Sequence, residues 1–406
     1  MDRRTFLATV CTGTAAVSGC LSLLRSGRAD TPLPDVPEGS WTQHGADGAN
    51  TFASAVSAPP RGNLTWTSAA FTRWSPVIAD GTVYTTNFDP SNDGSALALD
   101  AQDGSEQWRT TLDRQGDHGR ALVGGRFVVA HERELVALDR RNGDVLWRRP
   151  LERTDGRSGY APELLAVDDA SGTVLLPRRD GLEAFRVADG EPHWEATEIT
   201  RQFVTPAIHD GAVYAVGRID DTPSLAAFAL DDGTARWTTT LEEPSTDAAP
   251  VATDRGILVA DGTTLGVHDP GTGDRRSALR PFADGETVTT VAADGGTAFV
   301  ETDERILAVD VKTGTTRTLH DGGVYPRGIC VGNETVVAAV DGSEYVSDHR
   351  ETITAFDRET GNVRWSYPLD GFHSLTIPPI LADGAVFFAT SSIDALAALG
   401  DVPAEG

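Results

Sequence analysis

One stretch of the sequence has the spacing of a calcium-binding loop. In DPSNDGSALALD, oxygen-bearing side chains and a glycine stand at loop positions one, three, five, six and twelve, namely Asp89, Ser91, Asp93, Gly94 and Asp100. Oxygen ligands at these positions, with glycine at the sharp turn, are typical of an EF-hand-like Ca²⁺ loop. Because no helix is predicted to follow and Asp100 also belongs to a repeat described below, we favour a plain loop over a metal site.

Other signatures of catalysis are absent from the sequence. It contains no Walker loop, no His-Glu-x-x-His, no Cys-x-x-Cys and no Gly-x-Ser-x-Gly. These motifs bind phosphate, hold zinc, exchange disulfides or carry a serine nucleophile. The nine His residues are scattered singly, and isolated His residues in loops are more often surface or capping residues than ligands. We therefore predict no catalytic residue.

Three cysteines and two glycosylation sequons complete the reactive positions. Cys11 and Cys20 precede the predicted globular part, so the mature domain keeps one thiol and can form no internal disulfide. Cys330 stands in the apolar run GICVG and is predicted to be a small buried residue. Asn63 in NLT and Asn333 in NET fit N-glycosylation acceptors, and Asn333, at a predicted turn, is the more accessible.

The first 20 residues resemble a twin-arginine signal peptide that ends in a lipobox. The residues that carry this resemblance are Arg3, Arg4, Phe6, Leu7 and the run Val17-Ser18-Gly19-Cys20. Such a segment predicts export of the folded protein, cleavage, and acylation of Cys20. Residues 21–40 are polar and Pro-rich after the first few, as expected of a flexible tether. We therefore predict a lipid-anchored protein on the outer face of the cytoplasmic membrane.

The charge of the chain is strongly acidic. Sixty acidic residues against 34 basic ones give a formal net charge of -26, and Lys312 is the only Lys. Such an excess destabilises a compact state through self-repulsion unless salt screens it. The composition resembles that of extreme halophilic archaea. Because no basic stripe is available to neutralise phosphates, nucleic acid is excluded as a partner.

A skeleton of the form Ala-x-Asp-x-x-x-Gly-x-x-x-Trp recurs along the chain. The full pattern occurs in ITAFDRETGNVRW at residues 353–365 and in copies that end at Trp108 and Trp147; copies that end at Trp194 and Trp237 have another residue in the Asp position, and two weaker copies carry Ser277 and Thr318 in the Trp position. The turn glycines fall at 104, 143, 190, 233, 273, 314 and 361, with spacings of 39 to 47 residues. A period of this length is typical of propeller blades or solenoids.

A second hairpin precedes each skeleton. Eight such hairpins, among them SPVIADGTVYTTN and IPPILADGAVFFAT, consist of two short runs rich in Val, Ile, Ala and Tyr around a turn such as Asp-Gly or Gly-Gly. No run has helical period or length, so each unit is predicted to contain four antiparallel strands, A to D from the centre outward. The predicted fold is an all-β, eight-bladed propeller over residues 41–400, followed by a tail at 401–406.

The two ends of the repeat region complete one another. Residues 393–400, IDALAALG, match strand C of the other units but have no strand D after them, whereas residues 62–68, GNLTWTS, look like an orphan strand D with Trp66 in the Trp position. A ring with open ends would leave unpaired strand edges. We therefore predict that both termini close blade eight.

The position of the Trp residues suggests their role. On strand D, at the rim of a blade, a large flat side chain can cover the turn glycine of the neighbouring blade, where a Cβ would block the approach. The residues assigned to this docking are Trp66, Trp108, Trp147, Trp194, Trp237 and Trp365. The skeleton is similar to the tryptophan-docking motif of the quinoprotein-type (PQQ-like) eight-bladed propellers. Residues 41–51, WTQHGADGANT, resemble the N-terminal lead-in of that family, which would run across the propeller.

The resemblance implies two possible functions. Enzymes of the family bind pyrroloquinoline quinone with Ca²⁺ in the central channel, beside a catalytic Asp and often a ring made by two adjacent half-cystines; this sequence has no adjacent Cys pair and no long inserted loops. Non-enzymatic relatives are lipid-anchored binding scaffolds at the cell envelope, one of them in outer-membrane protein assembly. We favour a non-enzymatic scaffold without a cofactor. The alternative is a PQQ-dependent dehydrogenase of alcohols or sugars.

Propeller topology predicts where a ligand would bind. The loops that enter strands A and C open on one face around the central channel, and functional residues concentrate on such loops. The residues just before strand A, one from each of seven blades, are Trp74, His118, Tyr160, Phe203, Asp247, Tyr325 and His373. The expected partners are other envelope proteins or an extracellular ligand, and the protein is expected to be a monomer.

Overall fold

The strands of the protein form eight separate antiparallel sheets. The computed structural model describes residues 31–70, 72, 75–87, 94–112, 119–131, 133–151, 164–202, 204–283, 285–325, 328–341, 351–369, 378–390 and 395–403. Seven sheets have four strands, and one has a short fifth strand at its inner edge. Each sheet corresponds to one repeat of the sequence, so the predicted eight-bladed propeller is confirmed. The described residues include no helix that is long and apolar enough to span a membrane.

Blades one to four follow chain order from the inner strand A to the outer strand D. Blade one contains β3 (Val77–Ala79), β4 (Thr82–Asn87), β5 (Ser95–Asp100) and β6 (Glu106–Thr111); blade two contains β7 (Gly119–Val123), β8 (Arg126–His131), β9 (Glu134–Asp139) and β10 (Val145–Pro150); blade three contains β11 (Ala166–Asp168), β12 (Thr173–Arg178), β13 (Gly181–Arg186) and β14 (Pro192–Ala196); blade four contains β15 (Ala207–His209), β16 (Ala212–Ile219), β17 (Thr222–Ala229) and β18 (Ala235–Thr240).

Blades five to seven repeat this order, and blade eight combines the two ends of the chain. Blade five contains β19 (Val251–Thr253), β20 (Gly256–Asp261), β21 (Thr264–His268) and β22 (Arg275–Leu279); blade six contains β23 (Val288–Asp294), β24 (Thr297–Thr302), β25 (Arg305–Asp310) and β26 (Thr316–Asp321); blade seven contains β27 (Cys330–Val331), β28 (Thr335–Asp341), β29 (Glu351–Asp357) and β30 (Val363–Pro368); blade eight contains β31 (Ile380–Ala382), β32 (Ala385–Thr390), β33 (Ala395–Gly400) and β2 (Asn63–Ser68). The short strand β1 (Ser40–Trp41) pairs with β3.

Closure of blade eight by both termini is confirmed. Strand β2, from the beginning of the propeller, pairs antiparallel with β33 at its end, with Asn63 opposite Gly400 and Trp66 opposite Ala398. Strand β33 pairs with β32 on its other side. The last strand C therefore has neighbours on both edges, which removes the unpaired edges that an open ring would present.

The hydrophobic core lies between the blades rather than at the centre of the molecule. Strands B and C are buried along most of their length, whereas the outer strand β6 is largely exposed except at its Trp. One core cluster, for example, joins Val77 and Tyr84 of blade one to Phe127 and Leu138 of blade two. Each blade is thus a two-sided sheet whose faces are covered by its neighbours, which explains the near-continuous apolar runs of strands B and C.

At six of the eight seams, an indole crosses from one blade to the next. Each Trp Nε1–H donates to a backbone carbonyl of the following blade at 2.7–3.0 Å. The donor and acceptor residues are Trp66 and Ala101, Trp108 and Arg140, Trp147 and Val187, Trp194 and Leu230, Trp237 and Pro270, and Trp365 and Pro59. The ring covers the glycine three residues after each acceptor, where a Cβ would overlap the indole. Each contact therefore combines a hydrogen bond with burial of the indole ring.

The glycine of blade eight lies outside the recurring sequence skeleton. Gly62 lies four residues before Trp66 and packs under Trp365 of blade seven. The seven other turn glycines have φ between +72° and +78°, for example Gly104 and Gly273, whereas Gly62 is not among the residues with positive φ. At Gly62, the requirement for glycine is therefore steric rather than conformational.

Two seams lack the indole and use other contacts. Between blades five and six, Leu279 reaches the turn at Gly314 from the strand that carries Ser277. Between blades six and seven, Gly361 packs directly on the backbone of Leu319. Arg358 adds a cation–π contact to this second seam, with its guanidinium carbon 5.1 Å from the centre of the Phe299 ring.

The described residues before β1 pack on the propeller. Leu33 is 2% exposed, its N–H donates to Gln102 O at 2.9 Å, and Gln102 Nε2 donates back to Leu33 O at 2.9 Å. The Leu33 side chain fills the space above Gly400, where no Cβ would fit. The structure therefore differs from the predicted flexible tether (residues 21–40) from Leu33 onward. The reason is that the Leu33 side chain packs into a site on blade eight.

The beginning of the predicted tail also packs on blade eight. Val402 is buried, and Asn63 Nδ2 donates to Val402 O at 2.6 Å. Because this bond occupies the amide nitrogen that glycosylation would modify, Asn63 is a poor acceptor in the folded protein. Asn333 is exposed, so its glycosylation stays a prediction.

Removing the last strand C tests the closure of the ring. A chain that ends at residue 394 lacks β33 and leaves β2 and β32 with unpaired edges. We expect it to lose the cooperative unfolding transition in differential scanning calorimetry, because blade eight cannot form. A chain that ends at residue 403 serves as the control and should unfold like the full chain. A chain ending at 394 that melts like the full chain would contradict the closure.

Gly62 and Trp365 form a pair for a double-mutant cycle. Trp365→Ala should lower the free energy of unfolding by about 3–5 kcal/mol through loss of a large packed side chain. Gly62→Ala should cost about 1–3 kcal/mol by overpacking. Since that methyl group meets the indole, the double variant should lose clearly less than the sum of the two, as measured by urea denaturation. Strictly additive losses would mean that the two residues do not act through their contact.

Candidate functional site

One N-terminal segment contacts the inner strands of all eight blades. We call residues 38–58 the closing segment. Strand β1 pairs with β3 of blade one, with Trp41 opposite Ile78. Seven further hydrogen bonds of 2.5–2.9 Å join the segment to blades two to eight in order. The donors are N–H groups of strands A, except in blade eight, where the donor lies in the turn after strand A. The bonds are Leu122 to Thr42 O, Val167 to Gln43 Oε1, Ile208 to Gly48 O, Ala252 to Ala49 O, Ala293 to Thr51 O, Val331 to Phe52 O and Gly384 to Ser57 O. The segment thus lines the rim of the central channel.

The closing segment lies at one face of the propeller. Its contacts on strands A are close to the turns between strands A and B; Leu122, for example, is followed by the turn at Gly124 and Gly125. The turns between strands C and D are at the same end of the blades. The opposite face carries the loops that enter strands A and C, and we call it the loop face. The closing segment therefore occupies the rim of the channel at one face.

Side chains within the closing segment fix its path. Asn50 Nδ2 donates to Thr205 O at 3.0 Å and Pro250 O at 3.2 Å, which ties the segment to blades four and five. Asp47 accepts from Thr51 N at 3.1 Å and from Thr51 Oγ1 at 2.7 Å. Asn50 has a φ of +56° and Ala46 a φ of +74°, values that are uncommon outside glycine. The backbone therefore turns tightly to follow the circular rim.

Two ionisable groups of the closing segment have altered pKa values because of burial. The ring of His44 meets Phe52 edge-on with a centroid distance of 5.5 Å, and burial lowers the pKa of His44 to about 4. Burial raises the pKa of Asp47, while its hydrogen bonds from Thr51 act in the opposite direction. His44 is therefore neutral at neutral pH.

Two of the seven predicted loop-face residues lie within the described part of the chain. Asp247 is exposed, and its N–H donates to Ser245 Oγ at 3.1 Å. Tyr325 is partly buried against the core, and its N–H donates to Ala339 O at 3.2 Å. They precede strands A of blades five and seven. The other five lie outside the described residues: Trp74, His118, Tyr160, Phe203 and His373.

The calcium-loop spacing does not form one loop. Asp89, Ser91 and Asp93 lie outside the described residues, but Gly94 precedes β5 and Asp100 ends it. A six-residue strand separates these two positions by roughly 20 Å. Asp100 instead accepts the Gln102 N–H at 2.8 Å in the turn of the skeleton. Asp100 therefore cannot be the twelfth ligand, because the strand places it at the opposite end of the blade.

The described donor groups do not fit pyrroloquinoline quinone with Ca²⁺. Within the described ranges, no three His, Cys, Asp or Glu side chains are grouped to hold a metal ion. Cys330 is fully buried in β27, and burial raises the pKa of its thiol well above the usual range. Glu301 is buried, but its Oε2 accepts from Thr290 Oγ1 at 3.1 Å and Gly328 N at 3.0 Å. These groups serve the packing of the blades.

The comparison with protein families matches nearly the whole propeller. The model described as "Outer membrane protein assembly factor BamB" matches residues 49–226, 92–318 and 221–398 in overlapping copies. The chain belongs to this family. The overlap of the copies reflects the repetition of blades along the BamB-type propeller.

Individual relatives share the fold of the BamB-type propeller at low sequence identity. BamB from Moraxella catarrhalis is 15% identical with a TM-score of 0.62, and the match covers 83% of this chain and 99% of that one. The quinohemoprotein alcohol dehydrogenase from Comamonas testosteroni is 14% identical with a TM-score of 0.67, over 90% of this chain and 82% of that one. The BamB structure and the alcohol dehydrogenase structure are thus similarly close to this chain, and the likeness shows the fold alone.

One curated relative is a much longer protein. The serine/threonine-protein kinase AfsK from Streptomyces griseus is 26% identical over 325 residues, which are 78% of this chain and 33% of the kinase. The BamB-type propeller therefore spans about a third of the length of that relative. The fold recurs in proteins of different activity, so the function of this chain must be argued from its own surfaces.

Acidification should destabilise the propeller through its buried neutral histidines. Burial lowers the pKa of His44 to about 4 and lowers that of His268 below 6.5. Below about pH 6.5 the unfolded chain binds protons that the native chain does not, so the free energy of unfolding should fall as the pH decreases towards 4. His268→Leu introduces the residue found at the equivalent positions Leu99 and Leu138. The variant should reduce the dependence of the free energy of unfolding on pH by the equivalent of up to about one bound proton. Urea denaturation at pH values from 7.5 to 4.5 measures this dependence.

The control for this pH dependence is an exposed histidine. His193 is exposed, and its Nε2 is 2.8 Å from Asp231 O. His193→Leu should leave the slope between pH 6.5 and 4.5 close to that of the native chain. If His268→Leu also leaves the slope unchanged, protonation of His268 is not coupled to unfolding.

Proposed function

We propose that this BamB-type propeller is a non-enzymatic scaffold that is anchored by lipid at Cys20 to the outer face of the cytoplasmic membrane and binds other envelope proteins. The observation that carries the proposal is the occupation of one propeller face by the closing segment. With that rim occupied, the loop face is the proposed face for a partner. Loops on a rigid scaffold are where binding residues concentrate.

The first described residues of the chain support an orientation for this scaffold on the membrane. Thr31 N–H donates to Thr65 O at 3.2 Å, and Leu33 lies at the turn between strands C and D of blade one, which is on the side of the closing segment. Cys20 precedes Thr31 by 11 residues, which span at most about 40 Å when fully extended. A lipid at Cys20 would keep the closing-segment face towards the membrane and turn the loop face outward.

The acidic composition supports a second part of the proposal, that the protein works in concentrated salt. With a net charge of -26, the chain requires screening of repulsion between neighbouring acidic groups. Molar salt shortens the Debye length to about 3 Å, against about 10 Å at 0.1 M. The same charge would direct binding towards partners with basic or polar surfaces.

Two aspartates on blade five provide a matched test of the binding face. Asp247 is exposed before strand A on the loop face, and the Asp254 carboxylate is 95% exposed in the turn after strand A on the opposite face. We expect Asp247→Lys to reduce recovery of envelope proteins in a pull-down from native membranes by about tenfold, because it reverses a charge at the interface. Asp254→Lys, with the same change of charge, should leave recovery unchanged.

The outcomes of this pull-down separate the possible interpretations. Reduced recovery of envelope proteins with Asp254→Lys but not with Asp247→Lys would place binding on the closing-segment face and overturn the proposed orientation. Dye-linked oxidation of alcohols or sugars on addition of pyrroloquinoline quinone and Ca²⁺ would instead support the dehydrogenase alternative. We expect the purified protein to show no such activity.

Lowering the salt concentration should loosen the ring at the seams without an indole. We expect the melting temperature to fall substantially when potassium chloride is reduced from molar to about 0.1 M, because repulsion is then less screened. Limited proteolysis in low salt should cut first between residues 260 and 325, where the seams of blades five and six lie. A melting temperature that is independent of salt would contradict the salt requirement, and first cleavage in another blade would contradict the weak seam.

A further inference from the structure

Arg120 is a buried cation at the seam between blades one and two. It is the second residue of β7 and is 5% exposed. Its Nη1 donates to Thr85 Oγ1 at 2.7 Å in β4 and to Thr72 Oγ1 at 3.0 Å in the connection before blade one. Its Nε and Nη2 are shielded from solvent and have no hydrogen-bond partner within the described part of the chain. Three of the five N–H groups of this guanidinium, one on Nε and two on Nη2, therefore have no partner among the described residues.

The corresponding position is apolar in each of the other seven blades. In each blade, one residue of strand A pairs with the middle of strand B, for example Val77 with Tyr84 in blade one and Ala121 with Val128 in blade two. Arg120 directly precedes this residue in blade two. The residues at this position in the other blades are Pro76, Leu165, Pro206, Pro250, Val291, Ile329 and Pro379. Packing of a blade therefore requires an apolar residue here and gives no reason for a charge.

No described carboxylate compensates the charge of Arg120. The ion pairs between described residues include many arginines, such as Arg178 with Asp180, Glu183 and Glu195, but none involves Arg120. Burial alone lowers the pKa of Arg120 to about 9. A buried charge without a partner is strongly destabilising, and replacement by an apolar side chain would remove that cost. The position therefore carries a cost that a bound anion would offset.

The geometry of the two unsatisfied groups limits what can bind. The Nε–H and one Nη2–H lie on the same edge of the guanidinium and point in parallel, so they can share one anion as a fork. Because both nitrogens are shielded from solvent, a group that reaches them must be small. Because the chain has a net charge of -26, a multivalent anion would be repelled more strongly than a monovalent one.

We propose that the Nε–Nη2 edge of Arg120 binds a small monovalent anion, a halide or a carboxylate no larger than formate, within the seam between blades one and two. The bound anion would complete a bridge in which β7 supplies the cation, while Thr85 and Thr72 hold its other edge from blade one. The site would thereby fasten these two blades. The inference concerns the ring itself and does not depend on the proposed scaffold function.

The test compares anions at constant ionic strength and with one cation. The full chain is dialysed into potassium gluconate, whose anion is too large for the site, and part of the gluconate is then replaced by chloride, bromide or formate. We expect replacement by chloride, bromide or formate to raise the melting temperature by on the order of 3 °C, and above the dissociation constant the rise should follow the logarithm of the anion concentration. Chloride against formate distinguishes the halide from the carboxylate source.

Variants separate the site from general salt effects. Arg120→Leu introduces the residue of blade three and Arg120→Met keeps more of the side-chain length; both should abolish the anion-dependent shift and melt above the native chain in gluconate. Arg109→Met removes an exposed arginine paired with Glu106 at 2.6 Å and should keep the shift. Equal anion responses in the native chain and in Arg120→Met would overturn the proposal.

A measurement on the native chain covers the case in which the Arg120 variants do not fold. In crystals grown with bromide, the anomalous difference map should show a peak beside Nε and Nη2 of Arg120. If formate is the preferred anion, that peak should weaken when formate is added. A map without density at this edge in both bromide and formate would reject the site.

Discussion

The ring depends on how closely each blade approaches the next at the turn between strands C and D. A flat indole fits there only because the opposing residue has no Cβ, and its N–H reaches a carbonyl three residues earlier in the turn. The same pair of contacts recurs at six seams, so these seams share one geometry. Where Ser277 and Thr318 replace the Trp, Leu279 and the backbone at Leu319 fill the gap instead. Glycine is thus retained even where the indole is lost.

The inner edges of the blades impose a second constraint. Strands A are short, in several blades three residues, and their inner N–H groups have no partner within the blade. The closing segment supplies carbonyls to these groups around the rim, and its departures from regular geometry at Ala46 and Asn50 follow from the tight curve. One rim of the channel is consequently occupied by the closing segment. This arrangement supports the loop face as the proposed binding face.

The sequence predicts the blades well because their signals are local and repeated. A turn glycine followed four residues later by Trp marks strand D in six of the eight blades, and the partial copies at residues 62–68 and 393–400 suffice to predict closure. The register of the closing segment is not predictable from the sequence, since its partners are backbone groups on the inner strands of seven blades and on a turn of the eighth, and these leave no pattern in side chains. Leu33 shows the same limit. Its burial depends on a space above Gly400 that only the assembled ring creates.

The carboxylates of this chain pair with some arginines and not with others. With 60 acidic residues for 34 basic ones, carboxylates are in surplus, and Arg178 alone contacts three of them. Arg358 likewise bridges blades through Asp294 at 2.6 Å. In such a chain, a buried Arg120 without a described carboxylate cannot be attributed to a shortage of acidic side chains. A carboxylate supplied by the chain would fill the edge permanently, whereas a small exchangeable anion makes the seam between blades one and two respond to the composition of the medium.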